Sequence, residues 1–242
     1  MRVAIIGYGK MGKMVKKEAE KLSIGISKII VNQDELKKAI FCSDEVAIEY
    51  TEANQSVHNI ITLSRKGVKV VCGTTGWYKK LNRVVNCVKE NGNALLYGSN
   101  FSIGVNIFFE LVKLSAMIMN KFHEYDLFVK ESHHRSKKDN PSGTSLTVAE
   151  ILLKEINRKS KVVSKTIQRG LYLNELHISS ARGGNTIGEH QIVYDSSIDS
   201  ISILHSTKNR SAYANISIAC CKWISERVGV FTFYDFFKEE FL

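Results

Sequence analysis

The opening residues of the chain constrain its fold most tightly. Arg2-Val3-Ala4-Ile5-Ile6 is an apolar run of strand length, and Gly7-Tyr8-Gly9-Lys10-Met11-Gly12 follows at once. Met11, Met14, Val15, Ala19 and Leu22 then recur at helical spacing among lysines and glutamates. Residues 26–31 read as a second strand. Strand, glycine turn, helix and strand in this order make a βαβ unit of the length a dinucleotide-binding fingerprint needs. Gly7 allows the tight turn, Gly9 lets backbone approach a pyrophosphate, and Gly12 lets helix and strand pack closely. The N–H groups at the helix start would then face the anion. A tight turn without a ligand is the alternative, and the βαβ context argues against it.

An acidic residue is usual about 20 residues beyond such a loop, where it holds a ribose. Asn32 stands there, followed by Gln33. An amide can accept from a ribose hydroxyl without repelling a 2′-phosphate, so NADH and NADPH both remain open. Asp34 and Glu35 read as the opening of the next helix.

Two further strand–helix units follow: strand 46–50 with helix 53–66, and strand 68–72 with helix 81–91, then a strand at 94–97. Such alternation implies a parallel sheet covered on both faces. Gly73-Thr74-Thr75-Gly76 and Gly98-Ser99-Asn100-Phe101 lie at carboxyl ends of strands, where open α/β sheets bind ligands. Each alone could be an ordinary turn; together with the first loop they point to one cleft.

Near residue 100 the texture changes. A long apolar helix (104–121) and a strand (125–131) lead to a polar stretch and a helix at about 144–158. Short β-like segments follow at 162–169, 175–181, 188–195 and 200–206, which suggests an antiparallel or mixed sheet. Helix returns at 212–227. The expected fold class is therefore α/β, a parallel-sheet domain joined to a second domain with a mixed sheet.

The formal net charge is +10, without a nucleic-acid recognition motif, and an anionic ligand accounts for a mild positive field equally well. No apolar run approaches the roughly 20 residues of a membrane span. The N-terminus reads as no signal peptide, so a cytoplasmic location is expected. Five cysteines without CxxC spacing argue against a disulfide framework and a zinc site.

The densest chemistry lies at Glu131-Ser132-His133-His134-Arg135-Ser136-Lys137-Lys138-Asp139-Asn140-Pro141-Ser142-Gly143-Thr144. Cations beside a helix start form a site for carboxylates. Clustered positive charge also lowers the pKa of a His or Lys, which suits proton transfer. A solvated basic loop capped by Ser or Thr is the plainer alternative. A metal site is not expected, because adjacent histidines in an extended segment point apart.

At these residues the chain resembles the dihydrodipicolinate reductase family of the diaminopimelate–lysine pathway. The resemblance rests on GYGKMG (7–12), GTTGW (73–77), NFSIGVN (100–106), ESHHRSKKDNPSGTS (131–145) and RGGNTIGEH (182–190), in the family's order. It implies a Rossmann-like dinucleotide domain, residues 1–101 plus 211–242. Residues 102–210 would form an α+β domain for substrate binding and oligomerisation into a homotetramer.

His133 is implied as general acid/base and Lys137 as a second proton donor that also holds a substrate carboxylate. His134, Gly143 and Thr144 are implied substrate binders. The coenzyme, NADH or NADPH, would use Gly7 to Gly12, Asn32, Gly73, Thr74, Thr75, and Gly98, Ser99, Asn100 and Phe101. The substrate would be a small cyclic dicarboxylate with a conjugated imine, with no nucleic-acid or membrane partner.

Departures from the family's pattern are Asn32 for an acidic residue, Glu49-Tyr50-Thr51 for Asp-Phe-Thr, Asn140 for alanine, and a short segment before Val46. They bear on coenzyme preference more than on reaction type. Another Rossmann-type reductase, or a dinucleotide sensor without turnover, are the competing readings.

Overall fold

The computed structural model of the chain describes residues 1–165, 167–209 and 211–242. In chain order the elements are β1 (Arg2–Ile6), α1 (Lys10–Lys21), β2 (Ile26–Ile30), α2 (Gln33–Lys38), β3 (Glu45–Glu49), α3 (Ala53–Arg65), β4 (Lys69–Cys72), α4 (Leu81–Glu90) and β5 (Ala94–Tyr97). They continue with α5 (Ile103–Met119), β6 (Asp126–His133), α6 (Gly143–Glu155), β7 (Lys161–Val163), β8 (Glu175–Arg182), β9 (Glu189–Asp195) and β10 (Ser200–Ser206). The last elements are α7 (Ser211–Ile224), β11 (Gly229–Thr232) and α8 (Phe233–Phe241). Two compact units emerge: residues 1–103 with 211–242, and residues 104–209.

The first unit is built on a parallel sheet in the order β11-β5-β4-β3-β1-β2. Its strands are near-continuous apolar runs because both faces are covered. Alternation along β1 sends Val3 and Ile5 into a core with Val15 of α1 and Ile218 of α7. Ala4 and Ile6 enter the opposite core with Ile60 of α3 and Val84 of α4. The strand order reverses between β1 and β3, which marks the carboxyl edge there as the ligand crevice of such sheets.

The second unit holds a mixed sheet, β10-β9-β6-β8-β7. Its central strand, β6, runs antiparallel to β9 and parallel to β8. Leu127 and Val129 of β6 pack with Phe108 and Val112 of α5 and Val148 and Leu152 of α6. The same alternation carries Glu131 and His133 onto this covered face, where both are buried.

Two sequence expectations need correction. The segment expected as strand 162–169 pairs only over Lys161–Val163, and Thr166 lies outside the described residues. The helix expected over 212–227 ends at Ile224 and is followed by β11 and α8. β11 is a four-residue edge strand between Gly229 and the capping box of Thr232, too short to display a period of two. The sequence carries the β11 and α8 residues only as an apolar stretch.

The glycine turn depends on the absence of side chains. Gly7 has φ +92°, a left-handed value that favours glycine. A Cβ on Gly12 would overlap the Gly7 carbonyl oxygen, whereas one on Gly9 would meet nothing within 4 Å. Gly12→Ala should therefore destabilise the chain by roughly 1–3 kcal/mol in denaturant unfolding. Gly9→Ala, at the α1 N-cap, should cost about 1 kcal/mol at most. Equal midpoints for the two variants would contradict this packing.

Candidate active site

In the first unit, a cavity of about 580 Å³ opens at the carboxyl edge of the sheet. Of the residues singled out by sequence, Lys10, Met11, Gly73, Thr74 and Thr75 line it. Tyr50, Thr51 and Glu52, between β3 and α3, also line it, and motif reading had not included them as binders. Gly9 caps α1 with an open approach to its backbone, a cradle that a dinucleotide phosphate fits. Gly7 and Gly12 pack behind that turn, and Tyr8 packs against the core.

Gly98 adjoins β4 through its N–H to the Cys72 carbonyl (3.2 Å). Phe101 is buried against Phe233 with Tyr50 at its edge, Ser99 is exposed, and Asn100 accepts from the Ser102 N–H. The segment 98–101 thus lies on the same sheet edge, although it does not line the cavity itself.

A buried carboxylate holds the cavity's loops together. Glu49, at the end of β3, is fully buried. It accepts from the Thr51 N–H (3.2 Å), the Thr51 hydroxyl, Asn59 Nδ2 (3.3 Å) and the Cys72 thiol (3.2 Å). The Thr51 N–H also donates to Thr74 Oγ1 at 2.9 Å, which joins the loop after β3 to the loop after β4. Tyr50 lays its ring where a Cβ on Gly73 would stand and pairs its hydroxyl with Ser217 of α7. Burial pushes the Tyr50 phenol up, so it remains a neutral hydrogen-bonding group.

Asn32 caps α2, accepting from the Glu35 N–H at 2.9 Å. The Glu35 carboxylate reaches back to the Val31 N–H (2.9 Å) and Asn32 Nδ2 (2.8 Å). A carboxylate therefore does stand at the end of β2, supplied by a residue three positions along the chain.

In the second unit, β6 ends at His133, and α6 begins one loop later with Ser142 as its cap, accepting from the Ser145 N–H. Gly143 and Thr144 lie in the first turn, where N–H groups have no intrahelical acceptor. A Cβ on Gly143 would meet nothing within 4 Å, so this backbone is open to approach. Lys137 holds its ammonium 2.8 and 2.9 Å from the two Asp139 carboxylate oxygens. His134 pairs its Nδ1 with the Ser136 hydroxyl at 2.8 Å. His133 is buried while His134 is half-buried, as successive residues of an extended segment point apart.

Three residues that motif reading left without a role converge on His133. Strand register puts Arg182 of β8 opposite His133 and His190 of β9 opposite Glu131. Glu131 accepts from the Ser142 N–H, the Ser145 hydroxyl (2.7 Å) and Arg182 Nη2 (2.7 Å). Arg182 Nη2 also holds the Asp139 carbonyl (2.8 Å), and His190 Nε2 meets the Ser142 hydroxyl at 3.1 Å.

Glu131, His133 and His190 lie close enough together to resemble a metal-ligating trio. Arg182 and the donors from α6 already occupy both carboxylate oxygens, so the cluster reads as an ion-pair network. The one sequence signal for it was RGGNTIGEH, whose register against β6 appears only in the folded sheet.

Burial pushes the Glu131 carboxyl up, but hydrogen bonds from Ser142, Ser145 and Arg182 outweigh it and bring it down to about 2. Burial, together with the neighbouring His133, brings His190 down to about 4, so it is neutral near pH 7. His133 is lowered by burial, opposed by the Glu131 carboxylate and assisted by Lys137 and Arg182.

A depressed carboxyl stabilises the fold fully above its ordinary value of 4.5, and loses that contribution as pH falls toward 2. The amount at stake is roughly 3 kcal/mol. Urea unfolding across the acid range should show this loss in the native chain and a smaller one in Glu131→Gln. Identical pH dependence of the two would contradict the assignment.

Residues 1–101 match the family described as "Dihydrodipicolinate reductase, N-terminus", and residues 104–237 match "Dihydrodipicolinate reductase, C-terminus". A 4-hydroxy-tetrahydrodipicolinate reductase of Christiangramia forsetii is 32% identical over 100% of this chain and 99% of its own length. One from Archaeoglobus fulgidus is 32% identical over 98% of this chain and 100% of its own. A solved dihydrodipicolinate reductase from Paenisporosarcina sp. shares the fold, with TM-score 0.72 and 20% identity over 96% of this chain and 97% of that one. With both halves matched in order and relatives aligned along nearly its whole length, the chain belongs to the dihydrodipicolinate reductase family.

Proposed function

We propose that the chain is an oxidoreductase that reduces 4-hydroxy-tetrahydrodipicolinate, or the dihydrodipicolinate formed from it, to tetrahydrodipicolinate in diaminopimelate–lysine biosynthesis. The observation that carries this reading is a buried His133 at the end of β6, followed in the same loop by Lys137 and then by the open first turn of α6. A cation beside free helix N–H groups suits a carboxylate, and a histidine next to it suits proton transfer. The Paenisporosarcina relative was solved with dipicolinate bound, a planar ring with two carboxylates. The same chemistry fits the site here.

Reduced nicotinamide, when bound, supplies the hydride. The turn at Gly7, Tyr8, Gly9, Lys10, Met11 and Gly12 would hold the pyrophosphate, with Gly73, Thr74 and Thr75 beside the nicotinamide ribose. Gly98, Ser99, Asn100 and Phe101 would border the ring. Lys137 and the N–H groups of Gly143 and Thr144 would neutralise one substrate carboxylate, with His134 at the ring's edge. His133 would deliver the proton that balances the negative charge developing on the reduced conjugated system. Lys137 would serve as a second donor while orienting the ring.

Either NADH or NADPH would serve. The Glu35 carboxylate at the end of β2 favours NADH, because it can accept from a ribose hydroxyl and would repel a 2′-phosphate. We further propose a cytoplasmic homotetramer assembled through the face of the second sheet that carries Phe128 and Leu204. Leu204 is 56% exposed there, and the face lies opposite the one packed on α5 and α6. A sedimentation mass of one or two chains would overturn that assembly.

The test is a coupled assay in which dihydrodipicolinate synthase generates the unstable substrate and reduced-nicotinamide absorbance is followed. Turnover is expected with both coenzymes, faster with NADH. His133→Gln and Lys137→Ala should each lower kcat by about 10²–10⁴-fold. A folded, coenzyme-binding protein without turnover would refute the reductase reading in favour of a sensor.

A further inference from the structure

We propose that Glu131 is the positioning residue for His133: its carboxylate fixes the imidazole as the Nδ1–H tautomer and leaves Nε2 as the nitrogen that carries the transferred proton. Alternation along β6 puts both side chains on one face, with Glu131 Oε2 3.8 Å from His133 Nδ1. That nitrogen is buried and has no hydrogen-bond partner among the described residues. The other nitrogen, Nε2, lies along Gly188, where a Cβ would come to 3.2 Å and crowd the ring.

Glu131 cannot swing away. It is held by the Ser142 N–H, the Ser145 hydroxyl and Arg182. A fixed anion beside one ring nitrogen favours the proton on that nitrogen, and so determines which one is free to exchange.

The charged and titratable groups facing His133 come from each neighbouring element. Glu131 lies on its own strand, Arg182 on β8 and His190 on β9, while Lys137 and Asp139 come from the following loop. The His190 ring stands 5.1 Å from that of His133. Arg182 and Lys137 oppose an imidazolium, and Glu131 and Asp139 support one. Asp139 is exposed and paired to Lys137, so Glu131 is the buried support. Removing its charge leaves His133 facing the Arg182 guanidinium beside the Lys137–Asp139 pair.

This inference rests on the reading of His133 as proton donor, but its test does not use turnover alone. Long-range 15N–1H spectra of the histidine-labelled full chain, with His133 assigned through His133→Gln, report tautomer and titration directly. The native chain should show His133 as Nδ1–H when neutral. In Glu131→Gln its titration midpoint should fall by about one pH unit, and the tautomer should shift toward Nε2–H. The limb of the kcat–pH profile that falls as His133 deprotonates should move to lower pH by the same amount, with the coenzyme KM unchanged.

Glu131→Asp should restore part of the shift. Ser145→Ala, which removes a donor to the carboxylate but keeps the charge, should leave the tautomer as in the native chain. A neutral His133 carrying its proton on Nε2 in the native chain would overturn the proposal, even if Glu131→Gln fails to fold. So would an unchanged midpoint in a folded Glu131→Gln. Native tautomer and shift without turnover would instead contradict the reductase reading and leave the positioning role standing.

Discussion

Much of the second unit turns on one buried anion. Withdrawing a carboxylate from water is costly unless donors surround it, and Glu131 has them from separate parts of the chain. Its hydrogen-bond partners are the first turn of α6 and the guanidinium at the end of β8, with the rings of His133 and His190 standing 3.8 and 3.9 Å away. Each is held by the charge it helps to stabilise. Removing one partner would leave an underpaired charge in the interior, so the loop from His134 to Pro141 is anchored at both ends. Arg182 extends the hold by reaching the Asp139 carbonyl, two residues from Lys137.

The first unit repeats the device with neutral donors. Glu49 ends β3 as Glu131 approaches the end of β6, and it too is buried. Hydroxyl, amide, thiol and backbone N–H groups satisfy it, and the loops that border the cavity are the ones it ties together. In both units a strand end carries a carboxylate that works on its neighbours. A rigid support of this kind keeps flexible surface loops in one geometry.

Much of this was legible in the amino-acid sequence where the physics is local. The glycine turn shows locally in the left-handed Gly7 and the close packing of Gly12 on the Gly7 carbonyl, so its pattern, the flanking apolar run and the helical spacing all agree, although the Tyr50 backbone that also crowds Gly7 lies far along the chain. The helix start at Ser142 and the opposite orientations of the buried His133 and the half-buried His134 are local in the same way. The roles of Glu131, Arg182 and His190 were not legible, because β8 and β9 reach β6 only through sheet register, which spacing along the chain does not encode. Glu35 was hidden for a related reason. A carboxylate three residues past the expected position reads as a helix opener, and it is one, yet its side chain folds back to the strand end. β11 escaped notice because an edge strand of four residues has too few positions to show a pattern.

The central claim is that the loop between β6 and α6, with the first turn of α6, forms a site for a planar ring dicarboxylate. Titration calorimetry of dipicolinate into the full chain in the presence of NADH tests it most directly. Saturable binding with one dipicolinate per chain, weakened at least about tenfold by Lys137→Ala through loss of the charge-assisted contact, is the predicted result. No saturable binding to the folded chain, or binding indifferent to Lys137, would contradict the account.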